Sequence, residues 1–412
     1  MKSLLVLLIL IPTLSWGLTF KNGKQISESE KVLITSDVEV KNKNLLYTIS
    51  KPGIVYIEKK YFIENLIKNS NHIKCYYKAL IFPKIDIKVQ DQHSFTAHDV
   101  IESIGRNMLE RWCHDQISNS KILNPIENNN LKLKEYFLEL ENSKYLLNFP
   151  RPLDDIQFAY EIGRFLPSLL FTYSLMRDEF TEAEKQKIDK MFKDLVNKYQ
   201  YVWNISNSGK ANKGLYFNNF SLLTAIIIND EKLFNQSIKK FIQIMKFNTT
   251  ETGFMKKDGK RGECGLSYNL HALTPIMSTL WNLKLQGVDL TKEKLSHNHN
   301  MDEIVFAILD IANNPQKLKD FQKKYGLSKS IGSQKSCYQW MNISEFETYY
   351  NKEFDIIMPF HGSGWFYAYK ALSPNPDLNL KLFNQVNNLK FNIDKKSGDQ
   401  NTIGVFPIAI YQ

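Results

Sequence analysis

Residues 256–271 bring basic, phenolic and imidazole side chains together in a short stretch of chain. Arg261 and Tyr268 are seven residues apart, which is two turns of an α-helix, and His271 follows Tyr268 by three residues, so the side chains can share one helix face. A guanidinium group holds a carboxylate, and a phenol exchanges a proton with a reacting group. The segment therefore suits acid–base chemistry on an anionic substrate. The alternative is a basic loop that leads into a core helix with a buried tyrosine.

Polar groups also crowd residues 209–219, at the start of a helix that soon becomes strongly apolar. Asn212, Tyr216 and Asn219 are spaced four and three residues apart and share one helix face. The N-terminus of a helix exposes N–H groups and partial positive charge, which suits a carboxylate. The competing explanation is ordinary helix capping by Asn212.

Two glycines interrupt the helical pattern after Arg261. Gly262 and Gly265 each cost roughly 1 kcal/mol relative to alanine in a helix. We expect a group to approach the backbone closely at these positions, because such an approach requires the absence of a side chain.

The elements that carry these side chains are predicted to be helices joined by short connections. Apolar residues recur with the helical period over residues 98–116, 158–176, 213–229, 231–245, 262–286 and 301–313, and Thr181 with Glu184 forms a capping box before one more helix. Because short loops make consecutive helices neighbours, we predict a mainly α fold, an α/α toroid of antiparallel helical hairpins. A simple helical bundle is the alternative.

The first residues have the pattern of an export signal. Lys2 precedes the apolar residues 4–11, and Ser15 and Gly17 are small residues at positions suited to cleavage. We predict a signal peptide over residues 1–17, a periplasmic or secreted location and no membrane insertion, because the apolar run is short for a bilayer span.

The remaining chain is predicted to have three parts. Residues 18–95 form an N-terminal segment, which is polar and irregular over residues 18–60. Residues 96–372 form the α/α toroid, and residues 373–412 form a C-terminal tail. We expect the protein to be a monomer.

The net charge of +10 indicates a polyanionic partner. Nucleic acid, an anionic membrane surface and an acidic polysaccharide all satisfy this charge. Export and the absence of any zinc-finger, zipper or RNA-binding signature argue against nucleic acid. Charge alone leaves an anionic membrane surface and an acidic polysaccharide as candidate partners.

The cysteines and histidines do not indicate a metal site or a cofactor. Cys75, Cys113, Cys264 and Cys337 allow three disulfide pairings in an oxidising compartment, and the sequence does not choose among them. None has the spacing of a zinc site. His297 and His299 are expected to be solvated in a polar loop.

Together the two polar segments resemble the alginate lyases of polysaccharide lyase family five. That family carries an Asn-Asn-His-x-Tyr-Trp motif, followed later by Arg-x-x-x-Ala-Leu-x-Tyr-His-Asn-Tyr-Ala-Leu. Asn212 matches the second asparagine of the first motif, and the second motif is matched by Arg261, Leu266, Tyr268, Ala272 and Leu273, with Pro275 at a further matching place. The resemblance extends over residues 95–290 and implies the toroid fold.

The chain departs from the family pattern at three places. Lys213 stands where the family has histidine, Tyr216 stands where it has tryptophan, and Asn269-Leu270-His271 replaces His-Asn-Tyr. These differences leave the sugar and the stereochemistry of the reaction open.

The resemblance implies a polysaccharide lyase that cleaves an acidic β-1,4-linked uronan by β-elimination. The uronan would be polymannuronate, alginate-like or glucuronan-like. Elimination removes the C5 proton beside the C6 carboxylate, so the negative charge that grows on the carboxylate must be held. Arg261 and Asn212 are expected to hold it, Tyr268 to move the proton and Lys213 to assist. Substrate binding is expected from another set of residues: Tyr216, Asn219, His271 and Lys260.

Two other functions remain open. A non-catalytic periplasmic protein that binds acidic glycans is favoured by Lys213 in place of the family histidine. A glycoside hydrolase requires two facing carboxylates. Glu263, Glu345 and Glu347 are available, but no spacing pairs them.

Overall fold

The computed structural model describes residues 46–68, 75, 95–121, 130–149, 155–201, 207–327, 364–373 and 375–388. All of them belong to one compact unit, Val38–Gln412. Within these ranges the regular structure is helical, and β-pairing is limited to isolated bridges from Thr249 to Met255 and from Ser296 to His299. The predicted mainly α fold is therefore confirmed. The predicted signal peptide lies outside the described residues.

Thirteen α-helices are described in these ranges. They are α1 (Lys59–Lys68), α2 (Phe95–Lys121), α3 (Asn130–Asn142), α4 (Asp155–Met176), α5 (Glu182–Tyr199), α6 (Asn212–Ile228), α7 (Glu231–Asn248), α8 (Lys256–Gly259), α9 (Gly265–Leu285), α10 (Met301–Asn313), α11 (Pro315–Tyr325), α12 (Gly364–Leu372) and α13 (Pro376–Asn388). Short 3₁₀ turns cover Arg177–Glu179, Asn207–Lys210 and Gly262–Cys264.

Local sequence signals set several helix ends. Thr181 and Glu184 form the predicted capping box at the start of α5. Helix α6 ends at Asn229, which adopts the left-handed conformation, and the side chain of Asp230 then caps α7 by accepting from the N–H of Leu233 at 3.0 Å. Helix α4 continues through Pro167 without a break.

Helix α6 lies at the centre of the fold. It packs against α4, α5, α7 and α9, and its residues from Gly214 to Ile227 are all buried. A helix that is apolar on every side has no solvent face, so neighbours must surround it. The polar N-terminal turn of α6 is consequently held among other elements rather than in water.

Gly163 allows α4 and α6 to approach each other closely. A Cβ atom at this position would lie 2.5 Å from the backbone nitrogen of Phe217 and 2.5 Å from the carbonyl carbon of Tyr216. Helix backbones meet this closely only where a side chain is missing at the contact. The glycine therefore fixes the distance between the helix that carries Tyr160 and the helix that carries Tyr216.

The chain before the predicted toroid packs into the same core. Tyr56 is fully buried, its N–H donates to the Asn282 side chain at 2.6 Å, and its carbonyl accepts from Trp281 Nε1 at 2.6 Å. Helix α1 lies in the predicted N-terminal segment, and most of it follows the irregular stretch that is predicted to end at residue 60. Helix α13 lies in the predicted tail, with Leu382 buried in the core. The domain boundaries at residues 96 and 372 stay predictions.

Cys75 and Cys113 form a disulfide, which ties α2 to the chain that precedes it. Cys264 is also disulfide-bonded. Of the pairings that the sequence left open, the structure thus selects one that includes Cys75 with Cys113. No helix in the described part of the chain combines the length and the apolar character that crossing a membrane requires.

The close contact at Gly163 predicts a stability cost for any larger residue. Gly163→Ala should lower the free energy of unfolding by about 1–3 kcal/mol, because the added methyl group forces α4 and α6 apart. Urea denaturation measures this change. Lys187→Ala on the exposed face of α5 is the control and should stay within about 0.5 kcal/mol of the wild type. Equal stability of the Gly163→Ala variant would contradict the described helix contact.

Candidate active site

The loop that carries Arg261 is held by the protein's own backbone and by Gln322. The carboxamide of Gln322, on α11, is fully buried and donates to the carbonyls of Gly259 at 2.8 Å and Gly262 at 2.7 Å. A Cβ atom at Gly265 would lie 2.5 Å from the Gly259 carbonyl oxygen, and Gly262 has a positive φ of 52°. The close approach expected at these glycines is therefore made by the loop itself.

Arg261 lies directly over the ring of Tyr268. The guanidinium carbon is 3.7 Å from the ring centroid, which is a close cation–π contact. Helix α9 begins at Gly265, so Arg261 precedes the helix instead of lying two turns away on one face. The predicted pairing of these two side chains is found, but the loop produces it and the helical spacing does not.

His271 is hydrogen-bonded through both ring nitrogens to two tyrosines. Its Nε2 is 2.8 Å from the Tyr160 hydroxyl, and its Nδ1 is 3.4 Å from the Tyr216 hydroxyl. The Tyr216 hydroxyl donates to the carbonyl of His271 at 3.0 Å. A neutral imidazole that carries its proton on Nδ1 satisfies every one of these contacts. In that arrangement, Tyr160 donates to Nε2 and Nδ1 donates to the Tyr216 oxygen.

Tyr160 is the residue around which the other groups gather. The Arg164 guanidinium carbon is 5.2 Å from its ring centroid, and Lys213 Nζ is 5.6 Å from the same centroid. Burial raises the pKa of the Tyr160 hydroxyl, and the positive charges of Arg164 and Arg261 act in the opposite direction. The charge of Tyr268 also acts on Tyr160. Tyr160 therefore contacts Lys213 and His271, and it also lies within the electrostatic influence of the Arg261–Tyr268 pair.

Lys213 is anchored by α4. Its Nζ donates to the side-chain oxygen of Gln157 at 2.6 Å, one helical turn before Tyr160. An ammonium group in this place adds positive charge beside the Tyr160 ring. Lys213 is half-buried, so its charge is only partly screened by water.

Asn212 is tied to the Arg261 loop through Asp258. The backbone N–H of Asn212 donates to Asp258 Oδ2 at 3.2 Å, and Asn248 Nδ2 donates to the same oxygen at 3.1 Å. Burial raises the pKa of the Asp258 carboxyl to about 6, although the Arg261 charge and these hydrogen bonds lower it. Helix α6 begins at Asn212 with Ala211 as its N-cap, so the explanation of Asn212 as a capping residue is wrong.

Asn219 is not part of this group. It is fully buried, and its side-chain oxygen accepts from the hydroxyls of Ser278 at 3.0 Å and Thr279 at 3.3 Å. Because α6 is buried on all sides, a shared face with Tyr216 does not bring Asn219 to the site. We correct its expected substrate-binding role to a structural one. Lys260 lies in the Arg261 loop, where burial and then the charge of Lys256 lower the pKa of its amine.

The structure thus brings most of the predicted residues together. Lys213, Tyr216 and His271 contact Tyr160, the charge of Arg261 acts on Tyr160, and Asn212 adjoins Lys213 at the start of α6. Sequence reasoning missed other contributors: Tyr160, Arg164, Asp258 and Gln322. Tyr160 and Arg164 are four residues apart in a mainly apolar helix, with Glu161 between them, which was a usable signal. Within the described residues, no group of three or more metal-binding side chains occurs.

Comparisons with known proteins agree with this geometry. The family model described as alginate lyase matches residues 156–318, from α4 into α11. The predicted resemblance to the alginate lyase superfamily is confirmed. An alginate lyase from Pseudomonas fluorescens is 25% identical over 185 residues, which are 44% of this chain and 47% of the relative. One from Cobetia marina is 23% identical over 177 residues, 43% of this chain and 46% of the relative. The chain therefore aligns with about half the length of these relatives.

Solved structures show the same fold. Alginate lyase A1-III from Sphingomonas species A1 superposes with a TM-score of 0.57 at 14% identity, over 88% of this chain and 97% of that one. A tyrosine-to-phenylalanine variant of A1-III in complex with a tetrasaccharide has a TM-score of 0.52 at 16% identity, over 66% of this chain and 81% of that one. The predicted α/α toroid of helical hairpins is thereby confirmed.

The buried carboxyl of Asp258 predicts a pH-dependent difference in stability. Its pKa is about 6 in the folded protein and near 3.8 when exposed, so the folded state holds the proton more tightly. The contribution of this group to stability therefore falls as pH rises from about 4 to about 6, by about 3 kcal/mol in total. Urea denaturation of the wild type and of Asp258→Asn across this range measures it.

The stability of Asp258→Asn relative to the wild type should increase with pH over that interval, because asparagine cannot ionise. Asp178→Asn changes an exposed aspartate and is the matched control. Its curve should run parallel to that of the wild type. Parallel curves for Asp258→Asn as well would show that the carboxyl titrates normally and would contradict the described burial.

Proposed function

We propose that this protein is a polysaccharide lyase that cleaves an acidic β-1,4-linked uronan by β-elimination. The observation that carries the proposal is the Arg261 guanidinium held 3.7 Å above the Tyr268 ring, inside the region that matches alginate lyases. A cation and a phenol in direct contact provide a carboxylate-binding group and a proton-transfer group at one place.

Binding of the sugar carboxylate comes first in the proposed mechanism. Arg261 forms a paired hydrogen bond with the C6 carboxylate, and Asn212 donates to it from the first turn of α6. Both groups strengthen their hold as negative charge moves onto the carboxylate oxygens during proton removal. The half-buried position of Arg261 supports this role, because a lower local dielectric strengthens the attraction.

Tyr268 then moves the proton. As a phenolate it accepts the C5 proton, the C4–C5 double bond forms, and the C4–O4 bond breaks. The same hydroxyl gives the proton to the leaving O4 oxygen. One tyrosine can serve both steps when the C5 proton and O4 lie on the same side of the ring, as in polymannuronate or polyglucuronate. The positive charge of Arg261 over the ring stabilises the negative charge that Tyr268 carries at the start.

The remaining groups orient the sugar. Lys213 and Arg164 add positive charge on the Tyr160 side, where a second carboxylate oxygen or a ring hydroxyl is bound. The hydrogen bonds that join His271 to Tyr160 and Tyr216 hold the imidazole in one orientation. We therefore assign His271 a positioning role and Tyr216 a role in forming the wall of the site. Lys260 contributes positive charge at the loop. A periplasmic or secreted location agrees with an extracellular polysaccharide substrate.

The proposal predicts that the Tyr268 hydroxyl is required for turnover. Incubation of the wild type with polymannuronate should produce the ultraviolet absorbance of an unsaturated uronate. Tyr268→Phe should slow this by at least about 100-fold, since it removes the proton-transfer group and keeps the ring under Arg261. Tyr61→Phe, at a tyrosine that is 51% exposed, is the control and should be unchanged. A Tyr268→Phe variant as fast as the wild type would remove Tyr268 from the mechanism.

A second candidate function is an acidic-glycan-binding protein without catalysis. It is favoured by Lys213, which stands where the related lyases have histidine. The Lys213 ammonium donates a hydrogen bond to Gln157 and has no lone pair with which to accept a proton. In that case calorimetry should detect binding of polymannuronate to the wild type, and no unsaturated product should form. Lys213→His should then be tested beside Lys213→Gln. Product formation by the histidine variant alone would identify position 213 as the lost catalytic base.

A further inference from the structure

Two lysines contact one phenylalanine next to the candidate site, and a third lies on the same helix as that phenylalanine. Lys210 Nζ lies 5.0 Å from the ring centroid of Phe247, and Lys257 Nζ lies 5.6 Å from the same centroid. Lys240 precedes Phe247 by seven residues on α7, two helical turns away on the same face. We call Lys210, Lys240, Lys257 and Phe247 the Phe247 cluster.

The cluster is assembled from three separate elements. Phe247 and Lys240 come from α7, Lys257 comes from α8, and Lys210 comes from the 3₁₀ turn before α6. Asn248 connects them, because its side-chain oxygen accepts from the N–H of Lys257 at 2.8 Å. Its side-chain nitrogen donates to Asp258, which in turn accepts from the N–H of Asn212. The arrangement is therefore built by the same framework that holds the candidate active site.

The positive charges of the cluster are close enough to repel one another. Burial and then the charge of Lys210 lower the pKa of the Lys240 amine to about 8. Lys210 is buried, whereas Lys240, Lys257 and Phe247 are each partly exposed. Positive charge gathered beside a partly exposed ring attracts an anionic ligand.

We propose that the Phe247 cluster is a second sugar-binding site, which holds another carboxylate-bearing unit of the same uronan chain. The exposed part of the Phe247 ring packs against the apolar face of the sugar, and Lys240 and Lys257 bind its carboxylate. Lys210 supplies positive charge from beneath. The inference rests on the proposed function for the identity of the ligand. It extends the binding surface from Asn212 and Arg261 to α7.

Calorimetric titration of the full-length protein tests the proposal, with hexamannuronate as the ligand and the Tyr268→Phe variant as the background. Lys240→Gln and Phe247→Leu should each weaken binding by at least about fivefold, because they remove a charged contact and the stacking surface respectively. Lys232→Gln removes the same charge from an exposed position on the same helix and is the matched control. Its affinity should stay that of the background, and thermal melting should verify that each variant is folded.

The outcomes separate this inference from the proposed function. Unchanged affinity in Lys240→Gln overturns the cluster as an anionic subsite, even if Phe247→Leu binds more weakly, because an apolar contact alone does not select a uronate. Failure of the background protein to bind hexamannuronate also overturns it. If the wild type forms no unsaturated product but Lys240→Gln and Phe247→Leu lose affinity, the subsite stands and the lyase proposal fails.

Discussion

The burial of helix α6 from Gly214 to Ile227 is the constraint on which the rest of the site depends. A buried polar group without a partner costs about 1–3 kcal/mol, so neighbouring elements supply partners for polar groups of this helix. The N–H of Asn212 donates to Asp258, and the hydroxyl of Tyr216 donates to the carbonyl of His271. The side-chain oxygen of Asn219 accepts from the hydroxyls of Ser278 and Thr279. Packing of α6 therefore fixes where α8 and α9 lie.

This packing also concentrates positive charge along one side of the buried helix. Arg164 and Lys213 lie against the Tyr160 ring, although Arg164 is also paired with Glu161 at 3.6 Å. Lys210 and Lys257 of the Phe247 cluster add positive charge towards α7. Partly buried charges are screened less than exposed ones, so they attract a polyanion more strongly at physiological salt. The uronan of the proposed function carries one carboxylate per sugar, so several of its sugars could each bind one of these cations. The spread of positive charge thus supports the proposal of an extended acidic polymer over that of a single small anion.

Lys213 changes how this framework can be used. The related lyases have a histidine at the corresponding position, and a histidine can accept a proton near neutral pH. An ammonium group that donates to Gln157 binds negative charge instead. In the proposed mechanism the site relies on Tyr268 for proton transfer, which would restrict it to sugars whose leaving oxygen and C5 proton lie on one side of the ring. The imidazole of His271 does not replace the missing base, because its nitrogens are engaged by Tyr160 and Tyr216.

The sequence by itself determined the helices and the chemical types at the site. Periodic apolar residues predicted α5, α7 and α10. Residue types and motif spacing also predicted the pairing of Arg261 with Tyr268, although the loop before α9 and not helical spacing brings the two side chains together. Only the tertiary structure brought in Tyr160, which lies 111 residues before His271, and Gln322, which lies 60 residues after Gly262. Only the tertiary structure showed that Asn219 is a structural residue. A helix that is buried on all sides has no single site-facing surface that sequence spacing could identify. Local periodicity records which side of a helix is apolar, whereas contacts between distant helices depend on how closely their backbones pack.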